Sequence, residues 1–471
     1  MVSPHKIKFN NIESITLPLD LIIEVAFDGD NGETSTYLNR EAIASETHDG
    51  RYKRVHRYKY NESFSPRFTF TKKGFGDFTI EQLGVFFHEY IHYLQNISTP
   101  WGLYMSMVQY KTISETYAHI QSADMTIELP LKVTTPSLER QWAIINIGQG
   151  HYPFNIDYDQ TCQIIDRTKQ IKIHRTGETI GEKTYPKISL EITFVDGTVR
   201  NIDLGALIIN ESMAAMYQMM IDPNASHEKY DLPYNLIQIL CEQHYPNIAH
   251  DRKKLIAICY TSLFSLSPAQ VLLEQLENAS ENPDVSGLEL FNDFVRNAKI
   301  YDNRGKQSTV SEFMDGLIDN FKEIISQLLN CELDYIADVL DKVRISKRIV
   351  PLISIVYAEE LNPSDIETII DILGIPFTYN EKGEHFLPKS TKNPNRDSDD
   401  MLALIANSAL YNYIAHPNKY RCCPLRFMCL QSNLPVIKEE CFDYPWLGEK
   451  CPITGLCEHI GLKNKEYRWT Y

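Results

Sequence analysis

His88-Glu89-Tyr90-Ile91-His92 sets two imidazoles four residues apart. On a helix that spacing stacks them one turn apart on one face, where a nitrogen from each can reach a single ion. Glu89 stands about 100° further round the helix. From there its carboxylate meets the same ion from the side, placed to take a proton from water instead of ligating. Neutral imidazoles around an open fourth position suit Zn²⁺. With 14 histidines among 471 residues, chance yields on the order of 0.03 such pentapeptides, so the pattern is informative before any helix is required.

A catalytic zinc needs a third protein ligand. The longer pattern His-Glu-x-x-His-x-x-Gly-x-x-His is absent, because Gln95 stands where its glycine belongs and Ser98 where its last histidine belongs. Two downstream acids are candidates: Glu115 and Glu211. Glu211 is the only charged residue between Leu204 and Ile221, and a lone carboxylate in so apolar a helix is costly to bury unless a cation neutralises it. Glu115 shares an amphipathic stretch with Lys111, Gln109 and Gln121, where a solvated carboxylate is ordinary. Glu211 is therefore the favoured ligand, with Glu115 the alternative and Asp203 a more remote one.

These segments resemble the gluzincin group of zinc metallopeptidases, in which a second helix carrying an Asn-Glu-x-x-Ala-like motif supplies the glutamate ligand. Asn210-Glu211-Ser212-Met213-Ala214 has that form. The resemblance implies His88, His92 and Glu211 as ligands and Glu89 as the general base. It covers two short segments, and Glu211 follows His92 at a longer interval than is usual in that group.

The elements that must hold these residues can be read from periodicity. Thr79-Ile80-Glu81-Gln82 has the form of a capping box, and Leu83, Phe87, Tyr90, Ile91 and Leu94 follow at helical spacing. A helix is predicted over 80–96. Further helices are predicted over 103–121, 137–147 and 205–221, with hairpins over 170–204 around Gly177, Gly181 and the Asp196-Gly197 turn. Gly148-Gln149-Gly150 lacks the third glycine and preceding strand of a dinucleotide site. The first 75 or so residues read as strands at 15–27, 54–60 and 67–72, the last being a candidate edge for pairing an extended peptide. Helical periodicity then runs from 233 to about 373, including 310–342 and 364–373.

The expected fold is α+β and helix-rich. Residues 1–232 would form an N-terminal sheet and a zincin-like catalytic domain with a β insertion at 165–204. Residues 233–380 would form a helical domain, 381–400 a linker or loop, and 401–471 a small Cys-rich lobe. In that lobe Cys423-Pro424 to Cys429 and Cys451-Pro452 to Cys457 repeat one spacing. Cys423, Cys429, Cys451 and Cys457 are candidate ligands for a structural metal, with buried thiols, disulfides and an iron–sulfur cluster as the other readings.

Lys and Arg number 46 against 62 for Asp and Glu, a net charge of −16, which argues against a nucleic-acid partner. No apolar run long enough to span a membrane appears, and residues 1–14 lack the apolar stretch of a signal peptide; the expectation is a cytoplasmic protein. The expected function is a zinc-dependent metallopeptidase, an endopeptidase on a protein or peptide substrate, with the helical or Cys-rich region available to a regulatory protein partner. The alternatives are a non-enzymatic interaction module with structural zinc, and a zinc hydrolase of a non-peptide amide or ester.

Overall fold

Among the described residues, five strands precede the first helix: β1 (His5–Phe9), β2 (Ile12–Leu17), β3 (Ile22–Ala26), β4 (Arg40–Glu46) and β5 (Tyr52–Tyr58). This computed structural model describes those strands together with residues 79–123, 126–131, 133–151, 164–225, 231–301, 307–329, 331, 333–344, 363–379, 385–386, 388–395, 398–415, 452–462 and 465–469. The first three strands form an antiparallel meander, Phe9 opposite Ile12 and Leu17 opposite Ile22. β4 and β5 make a separate hairpin. The strand expected at 67–72 lies outside the described residues.

Helix α1 (Ile80–Ser98) begins where the cap pattern places it, with Glu81 favourably set in its first turn. Phe86, Phe87, Tyr90, Ile91, Leu94 and Ile97 are all buried, so the helix runs through the interior instead of along the surface. It stops at Thr99-Pro100, because proline has no N–H to continue the ladder. The Thr99 side chain then accepts from the Gly102 amide and caps α2 (Pro100–Ser122). A Cβ at Gly102 would overlap the backbone of Gln95 and Asn96; only glycine allows so tight a corner.

After β6 (Thr126–Leu129) and α3 (Pro136–Gln149), the strands β7 (Lys172–Ile180), β8 (Lys183–Thr193) and β9 (Val199–Leu204) form an antiparallel sheet. It feeds directly into α4 (Ala206–Ile221). Gly148-Gln149-Gly150 has a packing role here. Gly150 adopts φ +74°, and a Cβ on Gly205 would overlap the backbone of Gln149 and Gly150. His151 and Asp203 exchange backbone hydrogen bonds beside this contact, pinning the start of α4 against the end of α3.

The chain continues through α5 (Leu236–His244), α6 (Arg252–Ser262), α7 (Pro268–Glu281), α8 (Gly287–Asn297), the ladder of β10 (Lys299–Tyr301) with β11 (Gln307–Thr309), α9 (Val310–Leu329) and α10 (Asp334–Lys342). The helical periodicity read over 310–342 thus belongs to two helices. Then come α11 (Pro363–Leu373), β12 (Phe377–Tyr379), β13 (His385–Phe386), α12 (Asp399–Ala415), α13 (Pro452–His459) and β14 (Glu466–Trp469). Helices dominate and the sheets are small, an α+β fold.

Three tyrosine hydroxyls hold the turn after α11. Tyr90 donates to the Gly374 carbonyl (2.7 Å) and Tyr93 to that of Leu373 (3.1 Å). Tyr335 donates to the Ile375 carbonyl and accepts from its amide. β12 then joins the N-terminal sheet parallel to β3. Within the segment expected to be a linker, Ser390, Ser398 and Asp400 are buried, and Asp400 accepts from the Ile336 amide on α10. No helix among the described residues is long and apolar enough to cross a membrane.

Candidate metal centre

α1 and α4 pack antiparallel: Gly84 lies against Gln218 and Asp222 at one end, and Gln95 meets Asn210 at the other. Ala214 and Ala215 are fully buried on α4. Between the two ends, His88, Glu89, His92 and Glu211 are gathered with no more than 5% of any residue exposed.

The three atoms His88 Nε2, His92 Nε2 and Glu211 Oε2 form a triangle. The two nitrogens are 3.2 Å apart, and each lies 3.5 Å from the carboxylate oxygen. Tetrahedral ligands at about 2.0–2.2 Å from a zinc ion are separated by roughly 3.3–3.6 Å. The triangle therefore has the dimensions of one face of a zinc coordination tetrahedron, made of donors that zinc accepts. Glu89 brings a carboxylate oxygen within 4.8 Å of a ring nitrogen of each histidine, so a second carboxylate lies beside the pair.

The electrostatics of the metal-free cluster follow from burial and charge. Burial by itself lowers the His92 pKa, but the Glu211 carboxylate outweighs it, with smaller help from Glu89 and Gln95, and the value is pushed up to about 9. A cation is what these carboxylates call for, whether a proton on His92 or a metal ion.

The remaining candidates lie elsewhere. The half-buried Glu115 carboxylate accepts from the Thr135 hydroxyl (3.0 Å), bracing the N-terminus of α3. Asp203 pairs with Lys187 at 2.9 Å and accepts from Ser189. Of the tyrosines and histidines on neighbouring segments, Tyr117 donates to the Asn407 carbonyl, His119 and His151 are exposed, and Tyr217 packs edge-on to Phe87. His227 and Tyr230 lie outside the described residues, as do Cys423, Cys429 and Cys451. Cys457 is buried on α13.

Two neighbours of the site escape a reading of spacing. The Tyr234 ring stands edge-on to His88, centroids 6.3 Å apart. Its segment is fixed by Ser212, which donates to the Pro233 carbonyl (2.8 Å), and by Asp231, which accepts from the Ile165 amide. Gln95 contacts His92 Nδ1 at 2.8 Å and donates to the Asn210 carbonyl at 3.1 Å. A possible signal for Gln95 is its place one turn beyond His92, on the face that must meet a second ligand helix.

No protein-family profile, curated protein or solved structure matches this chain.

Proposed function

We propose that the chain is a zinc-dependent metallopeptidase with a zincin-like catalytic unit around α1 and α4, acting in the cytoplasm as an endopeptidase on a protein or peptide substrate. The observation that carries this reading is the triangle of His88, His92 and Glu211 with Glu89 beside it. When bound there, zinc supplies Lewis acidity and a water of lowered pKa. His88, His92 and Glu211 hold the ion. Glu89 accepts the proton of the attacking water at its carboxylate and returns it to the leaving amine. Three converging donors and an adjacent carboxylate suit catalysis better than a closed structural site, which takes four protein ligands.

In the same proposal the helical or Cys-rich region receives a regulatory protein. Cys423, Cys429, Cys451 and Cys457 are its candidate ligands for a second, structural metal, with buried thiols as the alternative.

One observation favours a second reading. His88 and Glu89 have no exposed surface, which fits a narrow pocket and hence a small non-peptide amide or ester better than an open peptide cleft. The test is a comparison of newly formed protein termini in cells expressing the wild type and Glu89→Gln. The peptidase reading expects termini that appear with the wild type and vanish with the variant, while purified Glu89→Gln keeps its fold and its zinc. Identical termini in both would refute the peptidase reading, and hydrolysis of model amides or esters by the wild type alone would then establish the second.

A further inference from the structure

Hydrogen-bond logic fixes the orientation of the Gln95 amide. The Asn210 backbone carbonyl can only accept, so the amide nitrogen faces it at 3.1 Å, and the amide oxygen faces His92 Nδ1 at 2.8 Å. An amide oxygen accepts and never donates, so Nδ1 carries a hydrogen. Nε2, the atom 3.5 Å from Glu211, is then the nitrogen available to a cation.

We infer that Gln95 is the positioning residue of the metal centre, fixing the tautomer and ring orientation of His92 and tying the histidine helix to the residue that precedes Glu211. The inference rests on the proposed zinc site. Metal-bound histidines commonly donate their second N–H to a carboxylate or a carbonyl. Here the acceptor is a neutral amide, and two features of the site explain the choice. Glu89 and Glu211 already place two carboxylates in a buried cluster, where a third negative charge is expensive. The Asn210 carbonyl also needs a donor, which an ionised carboxylate lacks. One amide satisfies both neighbours, so a single side chain sets the gap between the histidine ligands on α1 and the carboxylate ligand on α4.

The test uses the full-length chain, stripped of metal and titrated with Zn²⁺ against a chelating indicator, with His88→Ala as the background for zinc bound elsewhere. A wild type that binds no more zinc than His88→Ala would remove the metal centre, and the inference with it. Given a wild-type site, Gln95→Met keeps the length of the side chain and removes both hydrogen bonds. It should weaken zinc about 10–100-fold, the usual cost of losing an outer partner, while the metal-free thermal midpoint shows the chain folded. Gln95→Glu restores the acceptor that Nδ1 needs but not the donor to Asn210, and should regain about threefold or more of the affinity that Gln95→Met loses. Wild-type affinity in Gln95→Met, or equal losses in both variants, would overturn the inference. Should Gln95→Met fail to fold, Gln95→Ala takes its place, with the Co²⁺ visible spectrum as the readout: an altered band supports the role and a wild-type band overturns it.

Discussion

His92 touches a carboxylate at one nitrogen and an amide at the other, and this arrangement has a pH signature. Its pKa in the metal-free chain, raised to about 9 from an ordinary value of about 6.5, makes it an imidazolium at neutral pH. Zinc must displace that proton, so uptake at pH 7 to 8 should release it, detectable with an indicator dye in weak buffer, and the release should fade above pH 9. For the metal-free fold, a raised histidine pKa contributes stability that is complete below about pH 6.5 and is lost as pH rises through 9. The thermal midpoint of the stripped wild type should therefore fall between pH 6.5 and 9.5, more than that of stripped His92→Gln. The carboxylates divide just as sharply. Glu211→Ala should lower zinc affinity by more than the roughly 10–100-fold that loss of an outer partner costs. Glu115→Ala should leave zinc binding unchanged and cost about 0.5–1.5 kcal/mol of stability through the lost Thr135 bond, read from denaturant unfolding. Glu211 could be singled out in the sequence because burying a lone carboxylate is costly whatever the fold. Gln95 could not be assigned its role, because its second partner is a backbone carbonyl on a helix distant in the chain, and a carbonyl has no residue type to recognise.

Helices are the elements that periodicity and caps define best, and α1 to α4 lie within a few residues of their predicted bounds. The break between α9 and α10 was not legible, since apolar residues keep helical spacing across it: Phe321, Ile325 and Leu328 before, Tyr335, Ile336 and Val339 after, all buried. The glycines near 150 and 205 were legible as residues but not as a pair, because neither segment announces that the other backbone lies against it. Their contact sets where α4 starts and so where Glu211 arrives. Gly205→Ala tests this. The added methyl meets the backbone of Gln149 and Gly150, which cannot swing aside as a flexible side chain would. The expected cost is about 1–3 kcal/mol of stability, accompanied by weaker zinc binding as α4 shifts. Unchanged stability and affinity would mean that α4 is positioned by its apolar packing alone.

Across the whole molecule, long-range pairing joins segments that the linear reading kept apart. Residues 377–379 and 385–386 extend a sheet begun by β1 to β3, β14 pairs in parallel with β6, and Tyr117 on α2 donates to the Asn407 carbonyl on α12. Such partnerships leave no local trace, because any strand edge can in principle pair with any other. Helix α12 and strand β14 are therefore tied into the body that carries the metal centre, and Cys457 lies buried on α13, which packs against α12. If Cys423, Cys429, Cys451 and Cys457 bind a structural metal, elemental analysis of the full chain should find more than one zinc ion. His88→Ala should remove one and leave the other. Cys423→Ser combined with Cys451→Ser should do the reverse and also lower the thermal midpoint, since metal binding by such sites contributes directly to folding. A single zinc that disappears with His88→Ala and survives the double serine variant would make these cysteines packing residues, because a thiolate site that contributed to the fold could not lose two ligands and leave the metal count unchanged.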